Sequence, residues 1–333
     1  MKKQVYTMKD VAKIAGVTQP TVSHVINGTA SISKEVCKRV REAIEELNYR
    51  PNALAKGLKT NMTKTVGLIV PDISNSYYAS LAKAGERLLT NNGYISFLSC
   101  TDYDGDNEQK LIELLLGYNV DGVIMMYQFA NKNVCTQLTR SGVPFVAMDE
   151  VPSENVACSI NSDSFYGGYL ATQHLIEKGR TKIAYLSERL SSLSLAKRLD
   201  GYKKAQIDAG ITPDESIIIV EKDAHDKVER GLMLGRKLNG KDIDAVFAST
   251  DVIAIGVLRA LAEMKARVPK DVAVVGYDNI PMAAMSTPAL TTVTQSVDML
   301  AEIAVAELVR QMNGEKCRSE VLLKPELIVR EST

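Results

Sequence analysis

From Thr65 onward the chain alternates short β-rich apolar runs with amphipathic helical stretches, and that alternation leaves few folds open. The runs are Val66–Val70, Ile95–Ser99, Gly122–Met126, Phe145–Met148, Lys182–Leu186, Ile217–Val220, Ala245–Ala248 and Val272–Val275. Helix-period segments lie between them, among them Ala79–Asn91, Phe165–Glu177, Ala196–Ala209 and Val252–Met264. Near-continuous apolar strands alternating with helices predict βαβ units, in which a parallel sheet is covered by helices on both faces. The units are too many for one comfortable sheet, and the pattern restarts after about Ser162. Two similar doubly wound α/β lobes are therefore predicted. In such folds a ligand binds where strand C-termini open into a crevice, and two facing lobes make that crevice a cleft.

The first 60 residues obey a different grammar, short helices and nothing else. Thr7-Met8-Lys9-Asp10 reads as a capping box that opens a helix carrying Val11, Ile14 and Ala15 on one face, and Gly16 supplies the turn that ends it. Thr18 caps a second helix with Val22, Val25 and Ile26 as its apolar stripe, and Asn27-Gly28 stops it. Ser33 caps a third, in which Val36, Val40, Ile44 and Leu47 recur at helical spacing, and Pro51 is expected to break it. Three short helices with tight turns can bury a small core while presenting one helix outward. The segment from Pro51 to Asn61, with Gly57 inside it, is too short to be a stable helix alone in water and is expected to order only when something folds it.

Charge separates the same two regions. The formal net charge of the 333 residues is zero, yet residues 1–60 hold 11 Lys/Arg against 5 Asp/Glu, leaving 29 against 35 in the remainder. A basic head on an acidic body points to a polyanion met by the head alone. The composition, 45% hydrophobic and 24% charged, is that of a globular protein. Five cysteines include no C-x-x-C pair and read as reduced thiols rather than a disulfide framework or metal site. The basic start has no apolar run behind it, and no stretch approaches the roughly 18 apolar residues that span a bilayer, so a cytoplasmic, nucleoid-associated protein is expected. Enzyme signatures are missing: the sequence shows no G-x-G-x-x-G after the first strand, no G-x-x-x-x-G-K-[ST] and no G-x-S-x-G. The three histidines, His24, His174 and His225, have no spacing that suggests a metal or a triad. No catalytic residue, metal or cofactor is implied. An exported solute-binding protein would share the two-lobed body but not the basic helical head.

The head from Met8 to Gly28, with Gln19-Pro20-Thr21-Val22-Ser23-His24 at its centre and Tyr49-Arg50-Pro51-Asn52-Ala53-Leu54-Ala55 behind it, resembles the lactose-repressor/galactose-repressor family. The resemblance continues in family order through Gly67–Asn75, Val120–Ile124, Arg198–Tyr202, Val274–Pro281 and Leu290–Val293, and so covers essentially the whole chain. It implies a helix-turn-helix head over 1–50 and a hinge helix over 51–61. It also implies a periplasmic-binding-protein-like body, with one lobe from 62–161 and about 291–320 and the other from 162–290 and about 321–333. The family implies a homodimer, a repressor, that binds near-palindromic double-stranded operator DNA and changes affinity when an effector fills the cleft. The family's tetramer-forming leucine tail is missing.

Carried over by motif, Gln19, Pro20 and His24 would read base edges from a helix in the major groove, while Thr18, Thr21, Ser23 and Asn27 would contact phosphates. The DNA-facing set extends to Thr7, Tyr49, Asn52, Ala55 and Leu58, the last driven as a wedge into the minor groove. Two residues depart from the usual pattern. Arginine is common where His24 stands, and Pro20 offers apolar contact but no donated bond. In the cleft, Tyr77 and Tyr78 would line the mouth of the first lobe. Asp163, Ser194, Arg198 and Thr250 would line the wall of the second, with Asp278 at a strand C-terminus. Carboxylates, an arginine fork and aromatic faces suit a polyhydroxylated ligand, a sugar or sugar phosphate. The alternatives are a nucleobase or nucleoside, or a protein co-regulator. Thr250-Asp251 stands where Asn-Asp is usual, and Ala224 where many relatives place a stacking aromatic. Tyr77-Tyr78 also suits ordinary helix packing, and Arg198 with Asp278 a structural ion pair.

Overall fold

The computed structural model describes residues 6–50, 62–127, 132–148, 156, 158–188, 192–221, 227–317 and 320–333. The hinge segment 51–61, with Asn52, Ala55, Gly57 and Leu58, lies outside the described residues, as do Ala224 and His225. The chain divides into two compact units, Met1–Thr63 and Lys64–Thr333.

The first unit is three helices, α1 Met8–Ala15, α2 Gln19–Asn27 and α3 Lys34–Glu46. Each begins where its cap was expected. The Thr7 N–H and hydroxyl both donate to the Asp10 carboxylate at 2.7 Å, which holds that carboxyl below the usual carboxylate range. The Thr18 and Ser33 hydroxyls accept the N–H groups of Thr21 and Val36. Gly16 and Gly28 take left-handed conformations, φ 64° in both, and end α1 and α2. Pro51 does not end α3. The helix stops at Glu46, and Asn48 adopts φ 46° while Tyr49 N–H returns to the Ile44 carbonyl. An asparagine in the left-handed region closes the helix before proline can matter. Val11, Ala12, Ala15, Val22, Val40 and Ala43 form the core, in which alanines let the three short helices approach closely.

The second unit carries two six-stranded sheets. The first has the order β11-β5-β4-β3-β1-β2, made of Thr65–Val70 (β1), Ile95–Cys100 (β2), Gly122–Met125 (β3), Phe145–Met148 (β4), Ser159–Ser162 (β5) and Glu320–Leu323 (β11). The second has the order β12-β10-β9-β8-β6-β7, made of Ile183–Glu188 (β6), Ile218–Glu221 (β7), Ala245–Ala248 (β8), Ala273–Tyr277 (β9), Thr291–Thr294 (β10) and Glu326–Ile328 (β12). Every pairing is parallel except β10 with β12. Helices cover both faces, as strand–helix alternation requires. On the first sheet, Val66, Leu68 and Val70 face Leu81 and Leu89 of α4 (Ser76–Asn91) and Leu300 and Leu308 of α12 (Val297–Met312). Ile69 and Val123 face the opposite way, toward Ile112, Leu115 and Leu138 on α5 (Gly105–Gly117) and α6 (Lys132–Ser141). Burying each such side chain contributes about 1.5–3 kcal/mol.

The second sheet has α9 (Lys227–Arg236), α10 (Asp251–Glu263) and α11 (Pro281–Met285) among its helices, with α7 (Ser164–Glu177) and α8 (Leu193–Asp208) completing the set. α7 and α8 cross at backbone contact. A Cβ on Gly168 would stand 2.1 Å from the Arg198 carbonyl oxygen, and one on Gly201 would stand 2.0 Å from that of Phe165. Only glycine allows this approach.

The chain crosses between lobes three times: between β5 and α7, between β10 and α12, and between β11 and β12. The expected boundaries at about 291 and 321 are therefore displaced. Residues 291–294 pair with β9, Thr291 opposite Val275, and belong to the second sheet. Residues 320–323 pair with β5, Glu320 opposite Ser159, and belong to the first. These strands are too short for pattern alone to assign them a sheet; pairing decides it.

Candidate functional site

In the head, α2 buries Val22 completely and turns its polar residues the other way. Pro20, Ser23, His24 and Asn27 follow the i, i+3, i+4, i+7 spacing of one helix stripe. Gln19, Pro20, His24 and Asn27 are exposed, and Thr21 and Ser23 are partly so. Pro20 sits in the first turn, where its missing N–H costs no internal bond. Thr18 does cap the helix, and its hydroxyl also lies 2.8 Å from that of Thr21. Asn27 Nδ2 donates to the Ser23 carbonyl at 2.8 Å. Two members of the expected set have structural duties: the Thr7 hydroxyl is engaged by Asp10, and Tyr49 packs against the head core, where burial pushes its phenol up. Sequence reading missed Thr29, whose Oγ1 is 2.9 Å from His24 Nδ1. No local signal marks that pair, because it arises only from the turn at Gly28.

In the body, the expected cleft residues gather where strand C-termini meet helix N-termini, with unequal roles. Asp163 caps α7, its Oδ1 accepting the Tyr166 N–H at 2.9 Å, and Thr250 caps α10 by accepting the Ile253 N–H. Ser194 is buried in the first turn of α8, its hydroxyl 2.5 Å from that of Ser192. Tyr77 and Tyr78 open α4 and meet edge to face with ring centroids 5.2 Å apart. Tyr77 packs against the cores of both lobes, so helix packing is part of its role.

Arg198 and Asp278 stand together, 5% and 6% exposed, with Nη2 to Oδ1 at 3.7 Å. At that distance the attraction is coulombic and no direct hydrogen bond joins them. Arg198 Nη1 donates to the Ser249 carbonyl at 2.7 Å, and its guanidinium lies 3.6 Å above the Tyr277 ring. The Asp278 carboxylate accepts from Gln295 Nε2 at 2.6 Å. Tyr277 and Gln295 are the neighbours that the sequence did not single out. Tyr277 was legible only as the residue before Asp278, and its ring fits because Gly167 opposite it has no Cβ.

The turn that presents Asp278 is strained and heavily braced. Asp278 has φ 109° and Asn279 φ 51°, both unusual for residues other than glycine. Asp278 N–H donates to the Val293 carbonyl, Ile280 N–H to Asp251, and Arg330 Nη2 to the Asn279 side chain. Asp251 is wholly buried and also accepts the Thr292 hydroxyl at 2.5 Å. Burial pushes its carboxyl well above the usual range, and the negative charge of Asp278 adds to this. A cavity of about 600 Å³ opens beside the turn, lined by Tyr77, Ser80, Asp278, Pro281 and Glu302 among others. Of the expected effector residues only Tyr77 and Asp278 reach it. Arg198, Ser194, Asp163, Thr250 and Tyr78 do not.

One unit exposes a polar helix stripe in a basic head, and the other is a two-lobed α/β body with polar groups at its strand ends. Together they define a regulator class with a nucleic-acid-reading head and a binding body. The model of the bacterial regulatory proteins of the lacI family matches residues 7–52, and a periplasmic binding protein-like domain matches 172–333. The chain is 36% identical over 330 residues to the HTH-type transcriptional repressor PurR of Pasteurella multocida, covering 98% of each chain. It is equally similar to the ribose operon repressor of Escherichia coli, over 98% of this chain and 99% of that one. Among solved structures, the lac repressor dimer bound to operator and an anti-inducer superposes with a TM-score of 0.88 at 27% identity, covering 99% of both chains. The chain belongs to the lacI family of bacterial regulatory proteins.

Proposed function

We propose that this protein is a transcriptional repressor of the bacterial cytoplasm. It binds a near-palindromic operator as a homodimer and responds to a sugar or sugar phosphate in the cleft of its body. The observation that carries the DNA reading is the solvent-facing stripe of exposed Pro20, His24 and Asn27 and partly exposed Ser23, on a helix whose opposite face, at Val22, is locked into the head core. Such a helix fits the major groove, where Gln19, Pro20 and His24 meet base edges and Thr18, Thr21, Ser23 and Asn27 meet phosphates. Asn52, Ala55 and Leu58 complete the interface as the family pattern implies. One head reads only a few base pairs, so useful specificity needs two. Exposed Ile95, Phe97 and Leu98 on the edge strand β2 favour burial against a second copy. The lac repressor neighbour is a dimer on its operator, which supports the same arrangement here.

The effector reading rests on Tyr77 and Asp278, which line the cavity, with Arg198 behind the carboxylate, its Nη2 3.7 Å from Oδ1. A carboxylate accepts paired hydroxyls, the buried guanidinium behind it keeps it charged, and an aromatic face covers the apolar side of a ring. The ribose operon repressor among the relatives agrees with a sugar-sized polyol. The test is a panel of pentoses, hexoses and their phosphates, scored by titration calorimetry and by operator affinity. One member should bind the wild type and change its operator affinity, while Arg198→Ala loses that response and keeps its effector-free DNA binding. A full response retained by Arg198→Ala refutes the cleft assignment.

A further inference from the structure

α2 ends in a way that reaches back onto its own recognition face. Gly28 takes φ 64° and returns its N–H to the His24 carbonyl, and the Thr29 N–H bonds the same carbonyl at 3.3 Å. These two hydrogen bonds to one carbonyl turn the chain back at the end of the helix. There the Thr29 Oγ1 stands 2.9 Å from His24 Nδ1.

An imidazole tied at Nδ1 has one nitrogen left, and what Nε2 can recognise depends on where the ring proton sits. Among the described residues His24 Nδ1 is the only hydrogen-bond partner of the Thr29 hydroxyl. If the hydroxyl donates to the Nδ1 lone pair, the ring proton of the neutral imidazole stands on Nε2; if Nδ1–H donates to the hydroxyl, Nε2 is left an acceptor. His24 is exposed, so in the first arrangement Nε2–H is left as a single outward hydrogen-bond donor. In the major groove guanine offers two adjacent acceptors, N7 and O6, whereas adenine offers one acceptor beside a donor, thymine one acceptor beside a methyl group and cytosine a donor.

We propose that Thr29 is a specificity-determining partner of His24: its hydroxyl holds the imidazole as an Nε2–H donor that selects guanine at one position of each operator half-site. The inference rests on the DNA-reading role given to α2 above. Thr29 itself touches no base; it acts by setting the ring's orientation and proton.

The experiment selects bound duplexes from a random pool with the full-length protein, in parallel for the wild type, His24→Ala, Thr29→Val, Thr29→Ala and Thr29→Ser. The wild type should enrich guanine at a half-site position whose preference vanishes in His24→Ala. Thr29→Val, nearly the same size but without the hydroxyl, should weaken that preference about tenfold and leave the other positions as they were. Thr29→Ala should do the same, and Thr29→Ser, which keeps the hydroxyl, should restore it. Far-UV circular dichroism of each variant identifies any loss of the head's helices, and should Thr29→Val unfold the head, the Ala and Ser pair carries the comparison. The inference is overturned if the position lost in His24→Ala selects a base other than guanine, or if the hydroxyl-free variants keep the full preference. A wild type that enriches no sequence at all fails the DNA-reading role itself, a different outcome.

Discussion

Replacing Arg198 by methionine removes a guanidinium that touches three groups at once while keeping a long apolar stem. The Ser249 carbonyl loses a donor at 2.7 Å in a buried site, which costs about 1–3 kcal/mol. Asp278 loses the positive charge 3.7 Å away, and breaking a buried ion pair costs about 3–5 kcal/mol. That figure must be cut here, because the separation is long and Gln295 still donates to the carboxylate at 2.6 Å. The contact with the Tyr277 ring contributes about 1 kcal/mol, and the methionine thioether restores a similar amount. These interactions share partners and do not add, so the net loss is about 3 kcal/mol. A domain of this size loses roughly 2–4 °C of melting temperature per kcal/mol, which predicts a fall of about 6–12 °C. Scanning calorimetry of the full-length chain reads this on the body's transition. Arg198→Lys, which keeps a charge but not the planar fork, should fall between the two. If Arg198→Met melts within about 2 °C of the wild type, the three contacts carry no net stability and the reasoning from geometry is wrong.

Other consequences can be checked alongside. Asp251 has its folded-state carboxyl raised well above 3.8, so its contribution is complete below that value and is lost as pH rises through the folded pKa. The melting temperature of the wild type should therefore decline relative to Asp251→Asn, which cannot ionise, as pH rises above 3.8; parallel profiles would contradict the burial argument. Gly168→Ala drives a Cβ to 2.1 Å from the Arg198 carbonyl and forces α7 and α8 apart, which costs about 1–3 kcal/mol or more. A urea midpoint equal to the wild type's would show that the crossing is looser than the geometry indicates. For the hinge helix that the sequence resemblance implies over 51–61, Gly57→Ala would remove up to about 1 kcal/mol of helix penalty and should tighten operator binding at matched salt. Unchanged or weaker binding would count against a hinge that folds on DNA.

The parts of this architecture legible in the sequence are those written in local chemistry. Thr7, Thr18 and Ser33 announce helix starts, Gly16 and Gly28 announce stops, and strands such as Val66–Val70 and Ala245–Ala248 are apolar throughout because both faces are covered. The strand Ser159–Ser162 is illegible for the opposite reason. Its residues Ser-Ile-Asn-Ser are largely polar although all four are buried, and only pairing with β4 and β11 makes them a strand. The reverse holds at β2, an apolar run that lies at a sheet edge and leaves Ile95 66% exposed. In the cleft, Arg198 and Asp278 are recognisable by residue type and do meet. Nothing local could reveal that Tyr277 lies beneath the guanidinium or that Gln295 bonds the carboxylate, since those contacts join separate elements of the chain. Capping is the other duty that motif reading does not disclose in the body: Asp163 and Thr250 are ligand-binding residue types, yet each spends its side chain on a helix start.

On this reading two copies of a basic three-helix head grip one duplex with sequence preference. The most direct measurement is titration of full-length protein onto a selected near-palindromic duplex and onto a scrambled one, across a series of salt concentrations. Light scattering counts the chains bound. Two chains per duplex, a clear preference for the selected sequence, and affinity that falls steeply as salt rises are expected. One chain per duplex, or equal affinity for both sequences at every salt concentration, would contradict this reading.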